Sequence, residues 1–292
     1  MKIKDGFINI LKPPGMTSHD AVGCVRRILG IKKAGHAGTL DPGAAGVLPV
    51  AVGRATRFIE YLEADSKSYR AELTFGFATD SGDDLGERIA EMPDYNQPDE
   101  AEIHRVLAGF TGKITQTPPA YSAIKINGQK ACDLARHNLP VEIPSREITI
   151  YRLELLERRE NGLLFDTDCS KGTYIRSLCT DIGRALGIPA VLSFLVRTRV
   201  GGFLLADSVS LEELAGGGES VILPPEKCLQ LEHYELPLPR AKAFCNGLPT
   251  GLREWSGSDR KMIFGGGAFI GVGVYDRREQ TLRPEKVFPP EW

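Results

Sequence analysis

The amino-acid sequence predicts an α+β fold with a mixed, largely antiparallel sheet and flanking helices, followed by a small C-terminal β domain. Strand-like and helix-like periodicities are interleaved along the chain, and several strand-like segments are joined by hairpin-like turns. Turn-rich sequence between residues 216 and 225 marks a change in composition, and short strand-like pieces follow it. We therefore expect one large domain at residues 1–231 and a small one at 232–292, a size that commonly folds alone.

The first predicted elements are a strand, a helix and a loop. Residues 7–11 are apolar and precede Pro13-Pro14-Gly15, which predicts a short strand and a turn. Ser18 is typical of a helix N-cap and Gly30 of a helix end. The apolar face of that helix comprises Ala21, Val22, Val25, Ile28 and Leu29. Residues 34–53 are rich in small residues, which favours a loop that another molecule can approach closely.

The middle of the chain predicts strands separated by an acidic surface loop. Tyr69, Ala71, Leu73 and Phe75 alternate with polar residues, which is the period of a half-buried strand. Residues 80–102 carry 9 acidic residues against 1 basic residue, and we expect a surface loop that leads into a helix. The inward positions of that helix are Ile103, Val106, Leu107 and Phe110. Residues 121–126 precede Asn127-Gly128 and predict another strand and turn.

Two further strands and a helix complete the large domain. The strands are predicted at residues 148–156 and 163–169, and the helix at about 173–186. The apolar face of this helix comprises Ile175, Leu178, Ile182 and Ala185.

Composition excludes several classes of protein. With 292 residues, 42% of them hydrophobic, the chain can bury a full core and is neither disordered nor fibrous. The first apolar run is too short for a signal peptide or a membrane span, so we expect a cytoplasmic protein without a membrane segment. The six cysteines form no C-x-x-C pair, and we interpret them as reduced and mostly buried.

The formal net charge of −2 conceals an uneven distribution. Residues 1–70 carry 11 Lys and Arg against 6 Asp and Glu, and residues 113–200 carry 13 against 9. A face that binds a polyanion is therefore compatible with the acidic total, because phosphate contacts depend on local basic density. An ordinary mixture of solvated charges is the simpler interpretation of these counts alone.

The sequence contains none of the common motifs for nucleotide hydrolysis or for serine or zinc hydrolases. There is no G-x-x-x-x-G-K-[ST], no G-x-G-x-x-G after a strand, no G-x-S-x-G and no H-E-x-x-H. The cysteines and histidines also lack spacings that would suit zinc. We expect no metal site.

Residues 35–49 are the most unusual segment of the chain. Asp41-Pro42-Gly43 is by itself a good turn sequence. However, the surrounding glycines and alanines leave the Asp41 carboxylate accessible to a flat substrate, and a carboxylate is a competent nucleophile toward an anomeric carbon. On the residues alone, a turn and a nucleophile remain alternatives.

The same segment reads GHAGTLDPGAAGVLP and resembles the catalytic motif of TruB-type pseudouridine synthases, GHxGTLDPxAxGxLP. Residues 7–18, 67–71 and 170–176 resemble the opening, tyrosine and arginine motifs of that family, and residues 119–125 and 197–199 are weaker matches. The resemblance covers the whole chain and implies a pseudouridine synthase fold. From about His233 the sequence more faintly resembles the RNA-binding PUA domain of bacterial members.

The resemblance implies three catalytic residues. Asp41 is implied as the nucleophile, either attacking the sugar or assisting through a glycal-type intermediate, and these two routes remain open. Arg176 is implied to pair with Asp41 and keep it ionised. Tyr69 is implied to stack on the target base and accept a proton, whereas a tyrosine at such a strand position is otherwise more often core.

The resemblance also implies a set of substrate-binding residues. His36 is expected to fill the gap that a flipped-out base leaves in the RNA, with an ordinary turn histidine as the alternative. Leu195 resembles the family's apolar residue near the base. The other members of this set are Tyr174, Lys12 and Lys125, which lie within the matching motifs.

The implied activity is isomerisation of uridine 55 in the T arm of tRNA by a monomer that needs no cofactor. The reaction moves one bond of the base and oxidises nothing, so the lack of cofactor motifs is expected. One alternative is a synthase that acts on another RNA. A second is an RNA-binding or RNA-folding protein whose catalytic site is not used.

Overall fold

The structure is a computed structural model that describes residues 5–122, 124–126, 128–137 and 143–290. The strands of the large part are β1 Gly6–Lys12, β2 Ala34–His36, β3 Ala45–Val52, β4 Lys67–Phe75, β5 Phe77–Thr79, β6 Arg88–Glu91, β7 Gly112–Gln116, β8 Lys125–Ile126, β9 Gln129–Lys130, β10 Arg146–Arg159, β11 Gly162–Cys169, β12 Ala190–Val200 and β13 Phe203–Leu204. Its helices are α1 Ser18–Leu29, α2 Ile59–Glu63, α3 Glu100–Gly109, α4 Ala131–Arg136, α5 Ile175–Ala185, α6 Leu211–Gly217 and α7 Pro225–Cys228, with 3₁₀ turns at Gly53–Phe58, Leu205–Asp207 and Gly218–Val221.

A nine-stranded sheet organises this part of the chain. The strand order is β1-β3-β12-β4-β11-β10-β7, with β2 paired to β3 and β13 paired to β12. Strands β12 and β3 run parallel, and the other pairs that the structure describes in this sheet are antiparallel. The predicted α+β fold with a mixed, largely antiparallel sheet is therefore confirmed.

Two hydrophobic clusters hold helices against this sheet. In the first, α3 and α5 pack on β4, β10, β11 and β12 through residues that include Ile103, Leu178 and Phe165. In the second, α1 packs with α6 against β1 and β3. The parallel contact of β3 and β12 requires Gly46, because a Cβ at this position would lie 2.2 Å from the carbonyl oxygen of Arg197. This contact brings the segment before β3 and the arginines of β12 together.

The C-terminal part forms a second sheet. Its elements are β14 His233–Leu236, α8 Leu238–Cys245, β15 Thr250–Gly251, β16 Arg260–Gly265, β17 Ala268–Asp276 and β18 Thr281–Val287. The strand order is β14-β16-β17-β18-β15, and α8 packs on it around Phe244. A C-terminal β unit after about residue 231 was expected from the turn-rich sequence.

The second sheet shares a hydrophobic core with the first. The Phe58 ring is fully buried, and its centroid lies 5.5 Å from that of Phe269 and 5.7 Å from that of Phe288. Polar contacts surround these rings, including the Arg57 guanidinium donating to the Val287 carbonyl over 2.9 Å and the Tyr61 hydroxyl donating to Glu285 over 2.9 Å. The C-terminal sheet is therefore packed against the 3₁₀ turn and α2 that follow β3.

The first helix differs from its prediction at one position. Thr17, and not Ser18, is the N-cap: its hydroxyl accepts from the Asp20 N–H, and the Asp20 carboxylate accepts from the Thr17 N–H. The predicted end at Gly30 is confirmed, with φ of 64°. Ser18 is displaced from the cap because its side chain is buried against residue 40.

The region predicted as one loop, 34–53, contains two strands. Strands β2 and β3 occupy its ends, and 37–44 remain a loop. Strand β3 escaped prediction because Gly46 and Pro49 interrupt a run that is nearly all buried, so no alternation of apolar and polar residues is visible.

Several later boundaries also differ from their predictions. The acidic stretch contains β6, which pairs with β5, and the strands β7 and β12 were not predicted. Of the strand predicted at 121–126, residues 125–126 form β8, and the described residues 121, 122 and 124 are not in a strand, while Ala123 and Asn127 lie outside the described residues. Helix α5 begins at Ile175 instead of about 173. Its predicted apolar face included Ala185, which is exposed, and did not include Cys179, which is buried. The predicted strands at 69–75, 148–156 and 163–169 and the helix that follows the acidic stretch are confirmed.

Candidate active site

Asp41 lies in the loop between β2 and β3, with 41% of its side chain exposed. The turn that the sequence predicted is present, since the Ala44 N–H donates to the Asp41 carbonyl over 3.1 Å. The neighbouring Leu40 side chain is buried in the core, whereas Pro42 and Gly43 are exposed. The Asp41 carboxylate therefore lies at the surface, between the buried Leu40 and the exposed residues Pro42 and Gly43.

Buried polar groups from the first strand and helix hold this loop. The Ser18 hydroxyl accepts from the Leu40 N–H over 2.8 Å and lies 3.0 Å from the Leu40 carbonyl. The Lys12 ammonium donates to the carbonyls of Met16 and Pro13 over 2.7 and 2.8 Å and reaches that of Pro42 over 3.4 Å. Backbone groups of the loop are therefore bonded on both sides of Asp41.

The Lys12 side chain lies inside the protein. We expected Lys12 among the substrate-binding residues, but its side chain is fully buried and its donors point at protein carbonyls. Burial lowers the pKa of Lys12 to about 8, and the nearby Asp41 carboxylate opposes that shift. Lys12 therefore supports the Asp41 loop, and its contact with the substrate stays a prediction.

Helix α5 delivers Arg176 to the Asp41 carboxylate. The Arg176 Nε donates to Asp41 Oδ2 over 2.9 Å, and only 5% of the arginine side chain is exposed. Its other two nitrogens donate to the carbonyls of Ser81 and Tyr121, over 2.8 and 2.9 Å. Asp41 and Arg176, which the family resemblance implied as partners, therefore form a charge-assisted hydrogen bond in the structure.

A second carboxylate lies close to the same guanidinium. Asp83 Oδ2 is 3.8 Å from Arg176 Nε, and Asp83 Oδ1 accepts from the Ser81 hydroxyl over 2.7 Å. The sequence did not single out Asp83, since it belongs to the acidic stretch that was interpreted as a surface loop. The structure places this part of the stretch against the site.

Tyr69 and Arg197 are directly opposite each other on the neighbouring strands β4 and β12. Both are buried, with Tyr69 7% and Arg197 0% exposed. Burial raises the pKa of Tyr69 to about 12, while the Arg197 guanidinium beside its hydroxyl acts in the opposite direction. Tyr69 is therefore protonated at neutral pH, next to a positive charge.

Arg197 also bonds the Asp41 loop. Its guanidinium donates to the carbonyls of Val47, Gly38 and Thr39 over 2.8, 3.1 and 3.3 Å. Sequence reasoning noted Arg197 as part of a weak motif match and gave it no role in the site. The sequence could not indicate that Arg197 faces the Asp41 loop, because strand β12, which carries Arg197, was not predicted.

His36 ends strand β2, opposite Val50, instead of lying in the loop itself. Its side chain is half-buried, and Nδ1 is buried without a hydrogen-bond partner among the described residues. Burial, with a contribution from the positive charge of Arg197, lowers the pKa of His36. His36 is thus a neutral imidazole at neutral pH.

The remaining predicted residues lie around the same sheet. Leu195 is half-buried on β12 opposite Ala71 and packs against the cluster that contains Tyr69. Tyr174 is the N-cap residue of α5, and the Arg146 guanidinium lies 5.0 Å from its ring centroid. The side chain of Lys125 lies outside the described residues.

Within residues 5–122, 124–126, 128–137 and 143–290, no cluster of three or more His, Cys, Asp or Glu residues could hold a metal ion. No helix in these ranges has the length and apolar character needed to span a membrane.

Comparison with known families gives two adjoining matches. Residues 26–175 match the TruB family pseudouridylate synthase N-terminal domain, and residues 176–230 match the tRNA pseudouridylate synthase B C-terminal domain. Proteins named tRNA pseudouridine synthase B are similar over most of their length. The one from Caldanaerobacter subterraneus is 44% identical over 97% of this chain and 99% of its own, and the one from Symbiobacterium thermophilum is 52% identical over 77% and 76%.

Solved structures give a consistent result. A chain from a Cbf5-Nop10-Gar1 complex superposes with a TM-score of 0.76 at 29% identity, covering 98% of this chain and 85% of its own. A chain from an H/ACA ribonucleoprotein bound to a substrate RNA containing 2′-deoxyuridine superposes with a TM-score of 0.75 at 28% identity, with the same coverage.

Proposed function

The chain belongs to the TruB family of pseudouridylate synthases, and from that premise we propose that it isomerises uridine 55 in the T arm of tRNA to pseudouridine. The reaction breaks the bond from ribose carbon 1′ to uracil nitrogen 1 and forms a bond from carbon 1′ to uracil carbon 5. A proton leaves carbon 5 and nitrogen 1 gains one, so the net change is an isomerisation.

One observation carries the proposal: the Asp41 carboxylate is partly exposed and is held by the buried Arg176. An ionised carboxylate can attack carbon 1′ or stabilise the positive charge that develops there as the base leaves. We assign Asp41 as the catalytic residue on either route. Arg176 fixes the direction of the Asp41 carboxylate.

Tyr69 and Arg197 support a role in handling the uracil. The ring of Tyr69 provides a face for the base, and its hydroxyl is protonated at neutral pH. If the phenol gives its proton to uracil nitrogen 1 and the resulting phenolate then takes the proton from carbon 5, the protons balance, and the adjacent Arg197 stabilises the phenolate between the two transfers. We therefore include Arg197 with Tyr69 in the proposed chemistry.

Recognition requires the target base to leave the RNA stack. We propose that the neutral His36 fills the vacated space and that Leu195 packs against the flipped base, because both lie on strands that border the Asp41 loop. Tyr174 and Lys125 are proposed RNA contacts. Residues 1–231 would act as the catalytic unit and 232–292 as a PUA-like RNA-binding unit, in a monomeric cytoplasmic enzyme.

The proposal is tested with purified protein and a tRNA transcript labelled with tritium at carbon 5 of uridine. We expect release of one tritium per tRNA and a single modified position at 55. A transcript in which cytidine replaces uridine 55 should release none. Modification of a different position, or release from the cytidine transcript at the same rate, would overturn the assigned substrate.

A further inference from the structure

The guanidinium of Arg176 is held by three different segments of the chain. Its Nε binds the Asp41 loop, whereas Nη1 and Nη2 bind backbone carbonyls at Ser81 and Tyr121. Both of these carbonyls lie in non-helical segments outside the main sheet. The direction of Nε toward Asp41 therefore depends on where two loops place their carbonyl oxygens.

The two loops are bonded to each other. The Tyr121 hydroxyl donates to Asp80 Oδ2 over 2.9 Å, and Asp80 directly precedes Ser81 in the chain. The other oxygen of Asp80 accepts from the Glu87 N–H over 2.9 Å, which fixes the carboxylate at the base of its turn. The contacts close a ring that runs from Arg176 through Ser81, Asp80 and Tyr121 and back to Arg176.

Packing alone does not fix this ring. Asp80, Ser81 and Arg176 line a cavity of about 720 Å³, together with residues of α5 such as Ser177 and Thr180. Because this cavity borders the ring, hydrogen bonds contribute restraint there that close-packed atoms would otherwise give. A change in either loop would allow the guanidinium to turn away from Asp41.

We infer that Tyr121 and Asp80 are positioning residues that hold the Arg176 guanidinium against Asp41 through the ring of hydrogen bonds. They do not touch the reacting atoms. We expect Tyr121 and Asp80 to affect the turnover rate and not the affinity for tRNA. The ring of hydrogen bonds acts on the pair of Asp41 and Arg176, and none of its groups needs to contact an RNA phosphate. This inference rests on the proposed function.

The first experiment removes only the hydroxyl, with Tyr121→Phe. Loss of one hydrogen bond to a carboxylate should lower kcat by roughly 3- to 10-fold and leave the Kd for tRNA unchanged. Tyr95→Phe is the matched control, since the Tyr95 hydroxyl also contacts polar side chains, at 3.4 Å from Asn161 and Gln97, but away from the ring. This control should turn over at the wild-type rate.

The second experiment separates positioning from a general structural effect by mutant cycles. In an Arg176→Lys background, which cannot make all three bonds, Tyr121→Phe should cause no further loss in single-turnover rate. The pair Asp80→Ala and Tyr121→Phe should likewise be no worse together than the more damaging single change.

These experiments distinguish failure of the positioning role from failure of the proposed function. If the wild-type protein releases no tritium, the proposed function fails. If the wild type is active and Tyr121→Phe matches it, or if Tyr121→Phe still lowers the rate in the Arg176→Lys background, the positioning role is refuted. Equal thermal unfolding temperatures for Tyr121→Phe and Tyr95→Phe check that both variants are folded.

Discussion

Tyr69 and Arg197 face each other across strands β4 and β12, so that a buried phenol and a buried guanidinium lie side by side beneath the Asp41 loop. Burial raises the pKa of this phenol from 10.0 to about 12. The folded protein thus holds the phenol proton more tightly than the unfolded chain does.

The first prediction follows from that shift. Its contribution to stability is complete below pH 10 and is lost as the pH rises from 10 to 12, by about 3 kcal/mol in total. Wild type should lose stability relative to Tyr69→Phe over this range. Urea unfolding of both proteins at several pH values between 8 and 11.5 measures the difference, and a pH-independent difference contradicts the raised pKa.

The second prediction concerns Arg197. Arg197→Met should lower the free energy of unfolding by about 2–4 kcal/mol, because buried carbonyls at Gly38, Thr39 and Val47 would lose their donor. Activity should fall too, since two of these carbonyls lie in the Asp41 loop. Arg199→Met is the control, as the Arg199 side chain is 28% exposed and should cost about 1 kcal/mol or less. Equal urea midpoints for both variants would refute the buried role.

The third prediction concerns Arg176. Arg176→Ala should lower kcat by about 100-fold or more, because Asp41 loses the hydrogen-bonded partner that directs its carboxylate. The control is Arg184→Ala on the same helix, whose side chain is 75% exposed. The single-turnover rate of Arg184→Ala should equal that of the wild type, and that of Arg176→Ala should be lower by the whole predicted factor. Similar rates for both variants would mean that the Arg176 contact is unimportant for turnover.

The contrast between Asp41 and Asp83 shows what could be predicted from the sequence. Asp41 and Arg176 were identified because each lies in a long motif whose residues adjoin along the chain. Asp83 and Tyr121 were not, because their contacts with Arg176 depend on how loops meet a helix that lies far away in the chain, 55 residues away for Tyr121. Such contacts leave no periodic pattern in a single sequence.

The same physical reason separates the strands that were predicted from those that were missed. Strand β4 alternates buried and exposed residues along most of its length, so its period is visible. Strands β3 and β12 carry Gly, Pro or Arg at positions that the fold buries, so their sequences show no regular alternation. Only tertiary contacts explain a buried Arg197, and these contacts are what make it relevant to the site.

The fourth prediction tests how the two sheets are joined. Phe58→Ala should lower the free energy of unfolding by about 3–5 kcal/mol, since the buried ring packs against Phe269 and Phe288. Tyr61→Phe, which removes one partly exposed hydrogen bond to Glu285, should cost about 1 kcal/mol or less. Calorimetry of both variants measures the effect. A Phe58→Ala protein as stable as Tyr61→Phe would mean that the sheets do not share a core in solution.

The fifth prediction separates chemistry from binding at Asp41. Asp41→Asn keeps the size of the side chain, and its amide oxygen can still accept from Arg176 Nε, but the negative charge needed at ribose carbon 1′ is lost. Tritium release should therefore disappear while the protein stays folded. Binding of tRNA should survive, because affinity comes mainly from phosphate contacts and from stacking of the flipped base.

Asp20→Asn, at the exposed start of α1, is the control for a general effect of removing a carboxylate and should turn over normally. If Asp41→Asn released tritium at the wild-type rate, Asp41 would be only a turn residue, and the chemistry would have to lie with another group near Arg176.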